Sequence, residues 1–388
     1  MTLDEQTPTI AAETLSSKGR RASRPSRPHL AIIDSDMHPT VRTIGEIKPF
    51  LSERWWRYLQ SYGPRPKHGF SEGDPYPKAA PRAARRDAWA PNGAQPGSDL
   101  DFTRTHYLDA CNIEYSIMAP LQPTGQADRN LEFGAAISAA VNDWQRAKWC
   151  EPEPRFKASI VIPYEDPPAA IKEIERCADD PAFAQILMLA RTFEPLGARK
   201  YWPIFERAAE VGLPIGVHVF GYSGHPVTGA GWPSYYIEEM TGHAAACQAG
   251  VASLAMQGVF ERFPKLKMII IEGGFAWLAS LGWRLDKHWA DHRDEIPDVT
   301  RPPSETLRSH LWVSTQPMEE PERASQLLDV MSWIGFDRLL IATDYPHWDF
   351  DDPSFALPRS LTSEQRKAIT SGNARNVYRL QAQTPPDG

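Results

Sequence analysis

Five acidic and imidazole side chains stand where apolar runs of the chain end, and together they could bind a divalent metal ion. Asp36 and His38 follow the first run two residues apart, and His218 lies in the fifth run. Glu272 and Asp344 end the sixth and eighth runs. Carboxylate and imidazole groups are ligands for Zn²⁺, Mn²⁺ and Fe²⁺. One such residue is more simply a helix cap or a satisfied buried group, but five at matching strand ends favour a metal site.

The elements that would position these residues are eight short apolar runs that alternate with amphipathic stretches. The apolar residues of each run are continuous rather than alternating, which is typical of a parallel sheet covered by helices. Eight such units most economically close into a (β/α)8 TIM barrel. A doubly wound sheet is the alternative, but it typically has a glycine-rich loop after the first strand. Residues 34–39 contain no glycine, which favours the barrel. The predicted strands are 30–34, 114–119, 157–163, 185–190, 214–219, 267–272, 310–314 and 338–343, and the predicted helices are 105–111, 130–150, 168–178, 201–211, 242–263, 276–293, 321–331 and 363–370.

Three regions of different character divide the chain. Residues 1–28 lack apolar periodicity and end in a basic, proline-containing stretch, which predicts a disordered tail. Residues 29–388 form the predicted barrel. Within them, residues 40–103 form a long insertion after the first strand, with a short helix predicted over 46–62. Because this insertion leaves the strand end at which barrel active sites lie, we predict that it forms a lid over the metal; a surface insertion without a role is the alternative.

The composition narrows the class of protein. A net charge of −7 provides no basic excess for binding nucleic acid. The longest apolar runs have the length of buried strands, so no membrane span is predicted. The four cysteines form no CxxC pair and fit a reduced interior. We therefore expect a cytoplasmic enzyme that acts on a small molecule.

Several longer motifs resemble those of the amidohydrolase superfamily, in the branch that contains aminocarboxymuconate-semialdehyde decarboxylase and γ-resorcylate decarboxylase. The resemblance runs from about residue 32 to residue 380. It implies that Asp36, His38, His218 and Asp344 hold the metal, and that Asp344 doubles as an acid/base. Besides the first two of these residues, it is carried by the segments 213–218 (LPIGVH), 263–269 (FPKLKMI), 342–347 (ATDYPH) and 372–378 (GNARNVY).

Two positions depart from the mononuclear zinc enzymes of that superfamily. Those enzymes have histidine where this chain has Asp36, although a carboxylate also occurs there in the resorcylate-type branch, and they have histidine where this chain has Glu272. The role of the second imidazole is then lost or passes to a neighbour such as His225, His243 or His347. Three carboxylates exceed the charge of one divalent ion, so either Glu272 is protonated or otherwise paired, or a second cation is bound. We predict a divalent metal, with zinc as the first choice. The alternative is manganese or iron, bound as one ion or as two.

Four residues near the predicted strand ends could contact a substrate. Arg191 follows the fourth strand and could bind a carboxylate through its guanidinium; a structural ion pair is equally consistent with this position. Trp55, Tyr222 and Trp348 could form an apolar wall over the metal. Packing onto the barrel is the simpler explanation for any single one of these aromatic residues.

Three activities are consistent with the predicted site. The first is hydrolysis or non-oxidative decarboxylation of a small organic acid or amide, with Asp344, Glu272 and His243 as catalytic residues. The second is hydroxylation by a dinuclear iron or manganese monooxygenase on the same barrel, which the carboxylate at position 272 keeps open. The third is a non-catalytic partner subunit of a paralogous enzyme. The resemblance further implies a homodimer, or association with a paralogous subunit.

Overall fold

Eight parallel strands form one sheet in which each strand pairs with the next along the chain. The computed structural model describes residues 31–63, 81–126, 128–221 and 226–382, so the predicted tail and part of the predicted insertion lie outside the described residues. The predicted (β/α)8 barrel is confirmed. Its strands are β1 (Ile32–Met37), β2 (Ile113–Met118), β3 (Phe156–Val161), β4 (Phe183–Arg191), β5 (Ile215–Gly221), β6 (Met268–Ile271), β7 (Leu311–Ser314) and β8 (Leu339–Leu340).

Helices precede and connect the strands. Helices α2 and α3 each continue into a π-helical turn, over Arg104–Asp109 and Arg146–Cys150. None of the helices in the described residues combines the length and apolarity that crossing a bilayer requires. The helices are α1 (Glu53–Tyr62), α2 (Leu100–Thr103), α3 (Leu131–Gln145), α4 (Pro167–Cys177), α5 (Trp202–Val211), α6 (Tyr236–Met256), α7 (Val259–Arg262), α8 (Trp277–His292), α9 (Pro303–His310), α10 (Ala324–Ile334), α11 (Ser363–Lys367) and α12 (Asn373–Val377).

Several elements differ from the sequence-based expectation. Strand β1 extends to Met37, so Asp36 lies inside the strand rather than beyond it. The predicted helix 242–263 is two helices, α6 and α7, because Gly258 between them has a left-handed φ of 70° that ends the first helix. Helix α9 was not predicted; its proline-containing start suits the first turn of a helix, where no backbone N–H is needed.

The seam between β1 and β8 is closed by a few individual contacts, because β8 spans only two residues. Beyond its end, the N–H of Ser35 donates to the carbonyl of Ile341 at 3.0 Å, and the N–H of Asp344 donates to the carbonyl of Asp36 at 3.2 Å. A longer strand, 338–343, was expected from the sequence. Regular geometry ends early because the N–H groups of the next three residues donate to the carbonyl of Ile369, the hydroxyl of Thr315 and the carboxylate of Asp34, and not to the backbone of a neighbouring strand. The barrel is therefore closed by residues that also belong to the predicted site.

Asp34 is a buried carboxylate that holds this seam together. It accepts hydrogen bonds from the hydroxyl groups of Tyr107 and Thr343. It also accepts from the backbone N–H groups of Asp36 at 3.2 Å and Thr343 at 2.9 Å. Burial raises the pKa of Asp34 to about 7, although these hydrogen bonds oppose the rise. One side chain thus links β1 to the segment that follows β8.

We expect Asp34→Ala to lower the free energy of unfolding by about 3 kcal/mol or more, because each buried donor left without an acceptor costs roughly 1 kcal/mol or more. Thermal unfolding of chelator-treated protein, followed by circular dichroism, measures this loss. Tyr107→Phe removes only one of the donors and should cost about 1 kcal/mol. Equal unfolding midpoints for the two variants would show that Asp34 does not hold the seam.

Candidate metal centre

Strands β1 and β5 supply three of the predicted ligand side chains. Asp36 is the fifth residue of β1, and His38 follows the end of that strand. His218 is the fourth residue of β5. All three side chains are buried. In a barrel whose strands follow one another in order, the first and fifth strands face each other across the interior, so inward-pointing side chains at their carboxyl ends meet.

Glu272, directly after β6, and Asp344, in the loop that follows β8, bring two further carboxylates. Both have left-handed backbone conformations, with φ of 57° and 59°. Residues other than glycine rarely adopt this conformation, and it persists where surrounding contacts hold it. The N–H of Glu272 donates to the hydroxyl of Ser314 at 3.0 Å, and the N–H of Asp344 is held by β1. The strained turns direct both carboxylates at imidazoles of the same cluster.

The five side chains form one continuous cluster. Nε2 of His38 lies 3.3 Å from Oδ1 of Asp36 and 2.9 Å from Oδ1 of Asp344. Nε2 of His218 lies 3.5 Å from Oδ2 of Asp36 and 2.9 Å from Oε2 of Glu272. One ligand atom from each of Asp36, His38, His218 and Glu272 lies within 4.8 Å of all the others. The structure therefore brings together every residue that the sequence predicted as a metal ligand.

Both histidines direct Nε2 into the cluster because their other ring nitrogen is engaged. Nδ1 of His38 donates to the carbonyl of Ala119 at 2.7 Å, and Nδ1 of His218 donates to the carbonyl of Val219 at 2.9 Å. A carbonyl oxygen can only accept, so Nδ1 carries the proton. In the neutral ring, Nε2 then has a free lone pair, which is the arrangement of a metal-ligating histidine.

The cluster attracts positive charge. Burial alone would lower the pKa values of His38 and His218, but the surrounding carboxylates raise both, that of His218 to about 10. Burial also opposes ionisation of Asp36, yet the two imidazoles hold its pKa well below the usual range. Burial raises the pKa values of Glu272 and Asp344. Two protonated imidazoles carry a charge of +2. One divalent cation bound to the two neutral imidazoles would supply the same charge.

When both imidazoles are neutral and carry their proton on Nδ1, five buried atoms of the cluster face one another without a hydrogen between them and have no other hydrogen-bond partner among the described residues. They are both carboxylate oxygens of Asp36, Nε2 of His38 and of His218, and Oε2 of Glu272. Buried polar atoms are normally paired. Each of these atoms can donate an electron pair to a cation, and a mixed set of imidazole nitrogens and carboxylate oxygens suits Zn²⁺, Mn²⁺ or Fe²⁺. The residues present therefore fit a divalent metal ion.

His347 joins the cluster from the side of Asp344. Its Nδ1 lies 2.6 Å from Oδ1 of Asp344, and its ring stacks on that of His38 with centroids 4.4 Å apart. Together with Glu272, these three residues form a second group whose ligand atoms lie within 4.8 Å of one another. Burial lowers the pKa of His347 to about 4. The sequence analysis named His347 as one of three histidines that could replace the imidazole absent at position 272. Its position three residues after Asp344 was the reason to expect it near the metal centre.

A cavity of about 330 Å³ opens beside His38 and His347. Some described residues of the predicted insertion lie at this end of the barrel. That part contributes residues 40–44, Arg82, Gln95 and Pro96 to the cavity walls. The role of the insertion as a lid stays a prediction.

Arg191 and His243 lie beside the cluster rather than in it. Arg191 is the last residue of β4, and His243 is on α6. The ring of Phe220 lies between His218 and His243, with centroids 5.8 Å and 4.8 Å from theirs. His243 therefore belongs to neither ligand group. Its catalytic role and the substrate-binding role of Arg191 stay predictions.

The two described residues of the predicted aromatic wall, Trp55 and Trp348, contact different parts of the chain. The indole of Trp55 packs against Phe133 of α3, with centroids 5.7 Å apart, so this contact gives no support to a role in substrate binding. Trp348 is half-exposed directly after the last histidine of the cluster. Tyr222 and His225 lie outside the described residues.

Gln316 contacts the cluster although the sequence gave no reason to choose it. Its amide nitrogen donates to Oδ2 of Asp344 at 3.3 Å and to Oδ2 of Asp349 at 3.2 Å. It stands two residues beyond β7, so the rule that located the ligands at strand ends applies to it as well. Gln316 was not predicted, because a neutral amide neither titrates nor is a preferred metal ligand.

The family model for amidohydrolases matches residues 33–380. The chain belongs to the amidohydrolase family. The match spans the barrel from the first strand to the last helix and contains all five predicted ligands. The resemblance inferred from short motifs is confirmed.

This amidohydrolase is similar to two curated decarboxylases. The first is γ-resorcylate decarboxylase of Polaromonas sp. (strain JS666 / ATCC BAA-500), 26% identical over 301 residues that cover 73% of this chain and 88% of that protein. The second is 2-amino-3-carboxymuconate-6-semialdehyde decarboxylase of Dictyostelium discoideum, 25% identical over 195 residues that cover 50% of this chain and 51% of that protein. With relatives of this kind, the amidohydrolase described here is an enzyme.

The same fold occurs in a crystal structure of 5-carboxyvanillate decarboxylase from Novosphingobium aromaticivorans DSM 12444. That protein was complexed with manganese and 4-hydroxy-3-methoxy-5-nitrobenzoic acid. It matches this amidohydrolase with a TM-score of 0.66 and 19% identity, covering 90% of this chain and 96% of that one. At this level of identity, the likeness shows the shared barrel.

Proposed function

We propose that this amidohydrolase is a metal-dependent, non-oxidative decarboxylase of a small aromatic acid. The observation that carries the proposal is the buried convergence of Asp36, His38, His218 and Glu272, whose ligand atoms lie within 4.8 Å of one another, with Asp344 in contact with His38. The two curated relatives described above are decarboxylases, which supports this reaction over others that a metal centre could perform.

Asp36, His38, His218 and Asp344 would hold the ion, with Glu272 beside it. When bound, a divalent ion supplies a Lewis acid that neutralises negative charge on a substrate oxygen. A set rich in carboxylates suits Mn²⁺ at least as well as Zn²⁺, and the neighbouring 5-carboxyvanillate decarboxylase was crystallised with manganese. We therefore propose manganese, and zinc, the first choice from the sequence, is the alternative to be tested.

Decarboxylation needs a proton donor at the carbon that loses the carboxylate. The bond between ring carbon and carboxylate breaks, CO2 leaves, and the electron pair left on the carbon takes up one proton. We assign this proton to Asp344, because its buried Oδ1 contacts both His38 and His347. His347 also lines the cavity, so it can pass a proton from solvent to Asp344 after each turnover.

Hydrolysis of an amide or ester at the same cluster is the second candidate, since the family match by itself does not distinguish the two reactions. The relatives described above favour decarboxylation. None of them is an oxygenase, so the monooxygenase alternative has no support from them.

Release of CO2 from hydroxylated benzoic acids tests the proposal. Manganese-loaded protein is incubated with those acids that bind in calorimetry, and we expect equal amounts of CO2 and arene. In D2O the arene should carry one deuterium at the vacated carbon. Chelator-treated protein and the His218→Asn variant should release about 100-fold less CO2, because the ion is lost or weakly held. Binding of these acids without CO2 release, together with cleavage of amides, would contradict decarboxylation.

A further inference from the structure

The described part of the insertion makes backbone contacts with two histidines of the metal centre, and the first of them is His347. Residues 83–85 lie antiparallel to residues 346–348, with Ala84 paired opposite His347. A backbone hydrogen bond flanks this pair on each side. The bonds run from the N–H of Arg85 to the carbonyl of Pro346 at 3.0 Å and from the N–H of Trp348 to the carbonyl of Ala83 at 2.7 Å. The insertion thus holds the backbone of His347 on both sides.

The second contact is made by Gly97, with the backbone of His38. Gly97 has a left-handed φ of 70°, and a Cβ there would lie 2.4 Å from the carbonyl oxygen of His38, closer than side chains approach in proteins. Only glycine fits at this position. The carbonyl of Gly97 also accepts a hydrogen bond from the N–H of Thr40 at 2.7 Å. The insertion therefore packs directly against the backbone that carries His38.

The strands of the barrel do not hold His347 in this way. Strand β8 ends before this loop, and the backbone contacts with β1 and its end extend as far as Tyr345, whose carbonyl accepts from the N–H of His38 at 2.8 Å. The N–H of His347 donates to the carbonyl of Asp344, within the same loop, at 2.8 Å. Among the described residues, the backbone hydrogen bonds that tie residues 346–348 to another segment are therefore those with the insertion.

Side chains of the insertion keep Gly97 in place. Asp99 accepts hydrogen bonds from the guanidinium of Arg42 and from the side-chain amide of Asn92, the latter at 2.8 Å. The guanidinium of Arg42 also donates to the carbonyl of Ser98 at 3.3 Å. The turn that presents Gly97 is thus tied to the segment that follows β1.

The two contacted histidines form a stacked pair on one carboxylate. The rings of His38 and His347 stack with centroids 4.4 Å apart, and both contact Oδ1 of Asp344, at 2.9 Å and 2.6 Å. The histidines come from opposite sides of the seam, so the distance between their rings depends on how the two backbones are held. A shift of about 1 Å in a catalytic arrangement can reduce the rate by about 100-fold.

We propose that the insertion positions His38 and His347, through Gly97 and residues 83–85, and so forms part of the framework of the metal centre. Gly97 keeps His38 where it can hold the ion. Residues 83–85 keep His347 where it can pass protons to Asp344. The inference rests on the proposed function for this proton transfer alone, because metal binding by His38 does not depend on the reaction.

Gly97→Ala and Gly93→Ala separate the contact with His38 from backbone strain. Both glycines lie in the insertion and have a left-handed φ, of 70° and 80°, but a Cβ at Gly93 would meet no atom of the described residues within 4 Å. We expect Gly97→Ala to weaken manganese binding to chelator-treated protein by about tenfold or more, because disturbing the support of a metal ligand costs about 10- to 100-fold in affinity. Gly93→Ala should keep the affinity of the unmodified protein. Calorimetry measures the affinities, and circular dichroism shows that both variants are folded.

Arg85→Pro and Arg85→Ala test the contact with His347. Arg85 has a φ of −64°, the value that proline prefers, so Arg85→Pro removes the N–H that donates to Pro346 without requiring a new backbone angle. Arg85→Ala removes the same side chain, with its ion pair to Asp87 and its contact with the ring of Phe350, but keeps the N–H. Relative to Arg85→Ala, Arg85→Pro should lower the turnover number for CO2 release by about tenfold or more. The KM for the acid and the manganese affinity should be the same in the two variants.

Equal manganese affinities in Gly97→Ala and Gly93→Ala, with both proteins folded, would overturn the positioning of His38. Equal turnover numbers in Arg85→Pro and Arg85→Ala would overturn the positioning of His347, and this second pair also decides the matter if Gly97→Ala does not fold. If the enzyme releases no CO2 but Gly97→Ala binds manganese more weakly than Gly93→Ala, the positioning by the insertion is supported and only the proposed reaction is contradicted.

Discussion

Asp344→Asn should reduce the turnover number for CO2 release by about 1,000-fold or more. A positioned general acid contributes roughly 100- to 10,000-fold to rate, and the amide of asparagine cannot deliver a proton to carbon. The variant also loses one carboxylate of the candidate metal centre, so its metal content is measured in parallel, with turnover determined at saturating manganese. A large loss of turnover at full metal content assigns the effect to the proton and not to the ion.

Asp351→Asn is the matched control for Asp344→Asn. Asp351 is a half-buried acid on the same loop whose pKa burial raises to about 6, but it belongs to neither group of potential ligands. Its replacement should change turnover by less than about tenfold, since it offers no proton to the site. If Asp344→Asn kept turnover within the same tenfold range, another residue would have to supply the proton, and His347 would be the first to examine.

Glu272→Gln should keep one metal ion per chain and lose most turnover. The other ligands, Asp36, His38, His218 and Asp344, remain, so the ion is held, with an affinity reduced by about 10- to 100-fold. Glutamine preserves the shape of the side chain but removes its charge and its ability to carry a proton. Elemental analysis of protein equilibrated with excess manganese gives the number of ions, and CO2 release gives the turnover.

Two ions in the unmodified enzyme, falling to one in Glu272→Gln, would instead assign Glu272 to a second metal. The overlapping groups that share His38 and Glu272 make this a defined alternative. Glu319→Gln serves as the control, because Glu319 lies near the end of β6 and accepts hydrogen bonds from Phe275 and Ala276 outside the cluster. It should leave both metal content and turnover unchanged. Unchanged turnover in Glu272→Gln would show that Glu272 takes no part in the reaction and only packs in the barrel.

The sequence located the predicted ligands because the strand ends of a parallel barrel share one edge. Continuous apolar runs identified seven of the strands within a few residues, and β8 only in part. Once the barrel was inferred, the acids and histidines at these ends became candidates for one shared site. This reasoning places Asp36, His38, His218, Glu272 and Asp344 together without knowledge of any side-chain rotamer.

Contacts between loops and helices could not be predicted in the same way. His243 lies on α6 rather than at a strand end, and no spacing in the sequence predicts that the ring of Phe220 contacts both His218 and His243. For Trp55 the sequence left open a contact with substrate or packing onto the barrel, and the contact that the structure shows is with Phe133 of α3. Such positions depend on how helices dock, for which a single sequence contains no regular spacing.

The short strand β8 makes metal binding and barrel closure thermodynamically linked. Asp36 and His38 come from one side of the seam and Asp344 from the other, where only two residues of β8 form a regular ladder. An ion held by these side chains therefore joins the first strand to the last as a crosslink would. Its binding free energy adds to the stability of the folded chain and grows with the logarithm of the free ion concentration. The concentration of free metal in the cell thus sets the stability of the closed barrel, in addition to the fraction of active sites that are occupied by an ion.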